Sequence, residues 1–411
     1  MLPKFNRIMN PWSLSIQNIK SKPLYTFLSV LILSLSIALL LGVQQLKQSF
    51  KNQIENNLGN IDLVVGAKGS PLQLVLASVL HLDNPTGNIS YKEALKLSKN
   101  PMIKSAVPIS YGDNYKGFRI VGTTNTFTSL YNAELEKGHN VKKSMQVVLG
   151  NAVAQKLNLK IGDTLLSSHG LTENSIEVHD EMFTVVGILK QTEKVIDRLI
   201  LSNLESIWEV HHHHHHHHED EKHDHEESYD EKEITSLLIN FKNPRGLLTF
   251  PRRINKQTNM QAALPKYELH KLYEYTSIGF QTISLIAYLI LVISCITIFI
   301  SLYKMVKERA FDLAILRTYG ASNFQLIKMV FYEGFIVVFS SFLLGFLLLK
   351  IGLYSVFYFM ESIHQHLLKA LSFNDVLQTG FLILAMIIMS VSLAIYPIIK
   401  MNISLILSNE K

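Results

Sequence analysis

Ten histidines form the densest set of potential ligands in the chain: His211, His212, His213, His214, His215, His216, His217 and His218 in one run, then His223 and His225. Imidazole suits zinc, nickel and copper(II), and carboxylates can join it. Nine acids between Glu219 and Glu233 face only Lys222 and Lys232. Such a segment binds divalent metal through sheer number of ligands. Three origins fit the run: a physiological metal-capturing or metal-sensing loop, a tolerated repeat expansion, and an embedded purification tag. The mixed His, Asp and Glu that follow argue against a tag. No apolar period crosses 211–233, so a solvated loop is expected there.

Other chemistries are mostly excluded. No His-Glu-x-x-His occurs, so a zinc protease has no support. The single cysteine, Cys295, rules out a disulfide framework and any cysteine-based zinc site. Gly66 and Gly69 invite a phosphate-loop reading, but four residues must separate the first glycine from Gly-Lys-Ser/Thr, and that spacing fails here. No phosphate loop occurs elsewhere. The chain by itself is therefore expected neither to hydrolyse ATP nor to be an enzyme. His81, His139, His169, His179, His270, His364 and His366 are scattered, and each is read as a surface or internally satisfied side chain.

The elements that position these residues begin with four apolar windows. The chain of 411 residues is 48% apolar and only 18% charged, against about 25% charged in soluble domains. Leu24 to Val43 carries no charge and is long enough to cross ~30 Å of hydrocarbon. Thr276 to Tyr303, Gly334 to Leu349 (extended past Lys350 through Met360) and Val376 to Ile399 are the others. The first is no cleaved signal peptide, because it exceeds the ~7–15 residues of such a core and no small-x-small site follows.

Lys4, Arg7, Lys20 and Lys22 precede the first window. Lys304, Lys307, Arg309, Arg317 and Lys328 lie between the second and third, whereas the loop before the fourth has Lys369 alone. This asymmetry places the termini and the 304–328 loop in the cytoplasm. The net charge of +6 is thus a topology signal and not a nucleic-acid footprint. The fold class that follows is an α-helical membrane protein with four transmembrane helices (one plus three) and a large α+β extracytoplasmic domain between helices 1 and 2. The expected spans are 24–45, 276–303, 329–360 and 376–399. An N-terminal elbow (1–23), an outer loop (361–375) and a tail (400–411) complete the chain.

Within the domain at 46–275, strands are expected at Ile61–Val65, Arg119–Gly122, Gln146–Leu149, Asp163–Ser167, Met182–Leu189 and Ser236–Phe241. Helices are expected at Asn151–Leu157 and Pro244–Lys256. A helix at Tyr91–Lys99 carries a capping box of Ser90 and Glu93. An apolar helix with Leu72, Val75, Leu76, Val79 and Leu80 is read as core, the alternative being a face for a partner subunit. Apolar residues at Leu46, Phe50, Ile54 and Leu58, and at Leu269, Leu272 and Tyr273, continue two membrane helices outward. They form stalk ends at 46–58 and 265–275, with Pro265 in a first-turn position. Apart from Lys350, the windows lack charge, which disfavours an ion or metal pathway through them. Cys295 is read as packing.

The most informative stretch is Lys307-Glu308-Arg309-Ala310-Phe311-Asp312-Leu313-Ala314-Ile315-Leu316-Arg317-Thr318-Tyr319-Gly320-Ala321-Ser322. It predicts a short helix with Arg317 in its last turn, stopped by Gly320. Ser322 and Gln325 then open the next helix with a second capping box. The apolar face of Phe311, Ala314 and Ile315 needs lipid or a protein partner. This stretch resembles the coupling helix of FtsX-like and MacB-like ABC permeases. Glu308, Arg309, Leu313, Ile315, Leu316, Arg317, Gly320, Ala321 and Ser322 carry the match. Asp312 stands where the family usually has Glu, and Tyr319 replaces an aliphatic residue. Asn18–Leu28, Val147–Gly150, Leu159–Asp163 and Phe183–Leu189 resemble further family segments, and Asp62–Ile89 is similar to a subfamily of these permeases.

The resemblance implies a bacterial inner-membrane permease of the MacB, LolC and FtsX kind, with its large domain in the periplasm. A separate cytoplasmic ABC ATPase would hold ATP and Mg, receive the 308–322 helix, and drive mechanical transmission. A second permease copy or paralogue, a periplasmic adaptor or outer-membrane partner, and membrane lipid are the other implied partners. Export or extraction of a peptide, lipoprotein, lipid or hydrophobic small molecule is the implied function. The alternatives are an FtsX-like signalling permease that activates a periplasmic enzyme, and a zinc-linked system using the His-rich loop.

Overall fold

The computed structural model describes residues 11–21, 23–168, 178–212, 232–308, 311, 314–315, 318, 320, 322–359 and 373–399. In chain order the elements are α1 (Pro11–Ser21), α2 (Pro23–Asn57), β1 (Leu63–Ala67), α3 (Pro71–Ser78), β2 (Ile89–Ser90), α4 (Tyr91–Ser98), β3 (Ile103–Tyr115) and β4 (Phe118–Thr123). Next come α5 (Phe127–Leu130), β5 (Leu135–Gly138), β6 (Gln146–Leu149), α6 (Asn151–Leu157), β7 (Thr164–Ser168) and β8 (Val178–Leu189). A 3-10 turn at Val195–Arg198 leads to β9 (Leu199–Asn203), α7 (Leu204–His212), β10 (Glu233–Ile234) and β11 (Ser236–Phe241). The chain ends with α8 (Arg245–Gln257), β12 (Met260–Ala263), α9 (Pro265–Glu308), α10 (Asn323–Phe359) and α11 (Phe373–Ile399). It divides into two units, Met1–Phe50 with Thr276–Lys411, and Lys51–Tyr275.

The Lys51–Tyr275 unit is built on a ten-stranded sheet of order β12-β1-β11-β3-β4-β9-β6-β8-β5, with β7 pairing β3 and β8. The pairs β4/β9 and β6/β8 are parallel. Every residue of β4 is buried, as expected for a strand covered on both faces. Leu63, Val65, Leu237, Ile239 and Phe250 belong to one apolar cluster. Ile120, Val147, Leu149, Phe183 and Ile200 belong to another. The apolar helix α3 is core: Leu74, Val75 and Val79 are fully buried.

Two expectations change here. Ser90 precedes α4 but makes no side-chain cap bond. It sits instead in the short β2/β10 ladder opposite Glu233, and the Tyr91 N–H donates to Lys232 O at 2.9 Å. The first helical donor is satisfied by Lys232, the residue before β10, and the Ser90/Glu93 box does not form. The longest strand, β3, had no counterpart in the sequence reading. Pro108 and Gly112 interrupt its apolar alternation, yet it pairs with β11 and with β4, with a register shift between Tyr111 and Asn114. The Thr235 hydroxyl accepts the Tyr111 N–H at 3.0 Å at this point.

Among the described residues four helices are long and apolar enough to cross a membrane, over Thr26–Asn57, Pro265–Glu308, Phe324–Val356 and Val376–Ala394. In their unit Leu33, Ile37, Leu41, Leu291, Ile298, Leu302, Val330 and Ala394 form the packed centre. Small residues let helices approach. A Cβ on Gly345 would stand 2.8 Å from Ser34 O and 3.0 Å from Ile37 Cβ. Polar side chains also join the helices: Ser36 and Ser294 hydroxyls meet at 3.1 Å, Thr379 Oγ1 donates to Gln44 Oε1 at 3.2 Å, and Ser15 donates to Met329 O at 3.0 Å. The sequence reading that only Lys350 puts charge in these windows is corrected. Helix α10 begins at Asn323, and its Glu333 is 1% exposed. This side chain lines a small cavity together with Thr26, Ser29 and Ser301.

Candidate functional site

The segment that resembles a coupling helix starts where α9 ends. Glu308 is the last residue of that helix and lies 3.9 Å from Lys304, one turn earlier. Beyond it Ala314 is fully buried, and Phe311 and Ile315 are half-buried. The predicted apolar face is thus largely covered within this chain, which leaves less of it for an outside partner. The Thr318 hydroxyl donates to Ile315 O at 2.7 Å, closing a helical turn. Gly320 has φ +96°, the left-handed conformation its stop role requires. Arg309, Asp312, Leu316, Arg317 and Ala321 lie outside the described residues.

The second capping box is present in full. Gln325 N donates to Ser322 Oγ at 3.3 Å, and Ser322 N donates to Gln325 Oε1 at 2.9 Å. Two orphan donors at the start of α10 are thereby satisfied reciprocally. The coupling segment therefore ends on a defined helix start, and α10 leads from there into the bundle.

The two flanking long helices are unbroken. At 1.5 Å per residue, the 35 residues of α2 and the 44 of α9 span about 52 and about 66 Å, against ~30 Å for a hydrocarbon core. Phe50 and Phe280 bring the two together, with ring centroids 6.2 Å apart. Along the proposed stripes Ile54 and Leu269 are buried, but Leu46 is exposed.

The last residue of α2, Asn57, lies within the Lys51–Tyr275 unit. Asn57 is 1% exposed; its Oδ1 accepts the Val195 N–H at 2.6 Å and its Nδ2 donates to Gln53 O at 2.7 Å. Val195 opens the turn that Asp197 organises: the Asp197 carboxylate accepts from Thr192 N, Thr192 Oγ1 and Glu193 N. Sequence reading missed Asn57, because a polar residue beside the Ile54/Leu58 stripe looks like one more solvent-facing position.

Of the metal candidates, His211 and His212 close α7. His213 to His218, His223 and His225 lie outside the described residues. Among the described residues no group of three or more His, Cys, Asp or Glu is placed to hold a metal. His139 and His270 are exposed, with Asn140 O and Glu274 as partners. His169, His364 and His366 are outside the described residues. His81 departs from its reading as a surface or satisfied side chain: it is 8% exposed and its Nε2 has no partner.

A family model of the MacB-like periplasmic core domain matches residues 26–226, and one of the FtsX-like permease C-terminal region matches 284–403. The chain belongs to the MacB/FtsX-like ABC transporter permeases. No curated protein matches it in sequence. The periplasmic region of MacB from Actinobacillus actinomycetemcomitans is similar at 11% identity and TM-score 0.34, covering 53% of this chain and 97% of that one. The extracellular domain of the noncanonic ABC-type transporter YknZ from Gram-positive bacteria gives 11%, 0.31, 49% and 98% for the same quantities. A permease domain from Porphyromonas gingivalis gives 14%, 0.28, 50% and 90%.

In this permease the first family match runs from the first long helix into the sheet unit, and the second covers the coupling segment and the helices around it. The bundle also holds an apolar groove of about 330 Å³ between α10 and α11, walled by Phe331, Phe335, Phe339, Phe342, Ile383 and Leu384. Gly380 also lines it.

Proposed function

We propose that this permease transmits the motion of a separate cytoplasmic ATPase to its sheet unit outside the bacterial inner membrane. The observation that carries the reading is the pair of continuous helices, α2 and α9, each longer than a bilayer core. One ends in the Asn57 tie and the other ends in the coupling segment. Closure of two ATPases, on a permease dimer, would push the 308–322 segment. The capped start of α10 and the unbroken α9 would carry that push into the bundle and outward. Glu308, Ile315, Gly320 and Ser322, together with Arg309, Asp312, Leu316, Arg317 and Ala321, are the proposed contact set. The work would be done outside the membrane on a peptide, lipoprotein, lipid or hydrophobic small molecule, with an adaptor or outer-membrane partner accepting it.

Replacing Arg317 with Glu in the reconstituted complex tests this. ATP hydrolysis should continue, the complex should still assemble, and export or conformational change of the sheet unit should be lost. Unchanged export would remove the coupling role. The same motion would serve a signalling permease that activates an outer enzyme, and an extracted wild-type complex that stimulates such an enzyme without moving cargo would favour that version.

A zinc-linked role for His211–His225 rests on ligand density alone. Deleting His213–His225 should change zinc stimulation of ATPase activity. Identical zinc response in the deletion would leave the run without that role.

A further inference from the structure

Helix α1 packs on the opening turns of α10. On α1, Trp12, Ser15 and Ile19 are spaced three and four apart, so they share one face. On α10, Met329, Tyr332 and Glu333 share a face in the same way. The two faces meet. The Trp12 ring stands edge-on to Tyr332, with centroids 5.1 Å apart. The Ser15 hydroxyl, fully buried, donates to Met329 O at 3.0 Å. Ile19 lines one small cavity with Glu333. Aromatic edge contacts and hydrogen bonds are directional, so these contacts fix where α1 sits along α10, and not only that it lies nearby.

The joint from α1 to α2 is short. Helix α1 ends at Ser21, α2 begins at Pro23, and Lys22 alone separates them in sequence. A residue that precedes proline avoids the helical region, so one helix stops here and another starts. Proline suits the first position of the second. Consecutive Cα atoms lie about 3.8 Å apart, so those of Ser21 and Pro23 cannot separate by more than about 7.6 Å. A displacement of α1 therefore reaches the start of α2 with little slack to absorb it. Packing adds to the joint: Thr26 and Ser29 of α2 line the cavity that Ile19 and Glu333 share.

We propose that α1 is the link that passes motion of the α10 start to α2, with Trp12 and Ser15 as positioning residues. The inference rests on the coupling reading above and supplies its route to the first long helix. The 308–322 segment ends on the capped start of α10. That start carries α1 through the Trp12/Tyr332 and Ser15/Met329 contacts, and α1 carries α2, the helix that ends at Asn57. A helix that only anchored the chain at the membrane surface would need neither the directional contacts with α10 nor a joint of one residue.

The test uses the full chain reconstituted with its ATPase and reads amide exchange at 193–198, the turn whose Val195 N–H is accepted by Asn57, with and without ATP. The wild type should show an ATP-dependent change there. Inserting Gly-Gly between Ser21 and Lys22 creates a flexible joint. That variant should lose the change, while ATP hydrolysis and the exchange protection of α1 and of 323–333 stay as in the wild type. Trp12→Ala should weaken the change, and Trp12→Phe, which keeps an aromatic edge, should restore it. Ile16→Ser, on an exposed position of α1, should leave it unaltered.

An insertion variant that keeps the wild-type change overturns the proposal and leaves α1 as an anchor only. Should the insertion free α1 from α10, seen as lost protection at 12–19, the tryptophan variants decide: a full response in Trp12→Ala overturns the proposal equally. Arg317→Glu separates this failure from failure of the coupling reading. A response lost in Arg317→Glu but kept in the insertion variant removes only the route through α1. A response kept in Arg317→Glu, or absent from the wild type, removes both.

Discussion

Acid should weaken the sheet unit through His81, and the size of the effect follows from its burial. The folded pKa is about 3, set mainly by desolvation and then by Arg119 and Arg198, whereas an unfolded imidazole titrates near 6.5. Between these values the unfolded chain binds the proton and the folded chain does not. Stability is therefore fully present above about pH 6.5 and falls as pH drops toward about 3. From pH 7 to pH 4.5 the unfolded group gains its proton over roughly two pH units below its pKa. At 1.36 kcal/mol per unit, His81 should withdraw on the order of 2–3 kcal/mol of stability over that range.

His81→Asn is the right comparison, since asparagine tolerates the left-handed backbone found at His81 and does not titrate. Urea unfolding can be followed through Trp208. Its indole N–H donates to Glu233 O at 2.7 Å and its ring lies 5.2 Å from Tyr91. The chain has two tryptophans, so Trp12→Phe leaves Trp208 as the reporter. The other ionisable groups are common to both chains, so the wild type should lose on the order of 2–3 kcal/mol more than His81→Asn between pH 7 and pH 4.5. A stability difference that stays constant with pH would mean that the imidazole is not held neutral by its burial.

Two further outcomes test the bundle. Gly345→Val places a Cβ 2.8 Å from Ser34 O; forcing these helices apart should cost about 1–3 kcal/mol, read as a lower melting temperature in detergent. Ser322→Ala removes one half of the α10 capping box; it should cost about 1 kcal/mol and reduce coupled ATPase activity, whereas Ser322→Thr should restore both.

Legibility in the sequence followed the strength of local signals. β6, α6 and β11 were read with their observed bounds because short apolar runs lie between clear turn residues. The Ser322/Gln325 box was read correctly and the Ser90/Glu93 box was not. The two share one pattern, and only a strand pairing 143 residues away in the chain, between Ser90 and Glu233, separates them. β3 was hidden by Pro108 and Gly112, whose effect on a strand depends on neighbours that local pattern cannot supply. Glu333 was passed over because the window was drawn from the first apolar residue after it. His81 looked bland because a scattered histidine carries no spacing signal; only the sheet brings Tyr111 and Arg119 to it.

Asn57 is the long-range contact on which the proposed transmission can be tested most directly. The α2 helix could end near the sheet unit with any residue, but a stroke along it moves that unit only if the end is held. Asn57 holds it by accepting the Val195 N–H, beside a turn that Asp197 fixes through Thr192 and Glu193. Asn57→Ala leaves the Val195 N–H buried without an acceptor, a cost of about 1–3 kcal/mol. Asn57→Asp keeps the acceptor and loses only the donor to Gln53 O. If the tie transmits motion, the alanine variant should keep ATP hydrolysis and lose export, with faster amide exchange at 193–198, and the aspartate variant should recover most of the export. Equal export by the alanine variant and the wild type, despite faster exchange at that turn, would show that force enters the sheet unit elsewhere, and α9 would then be the helix to examine.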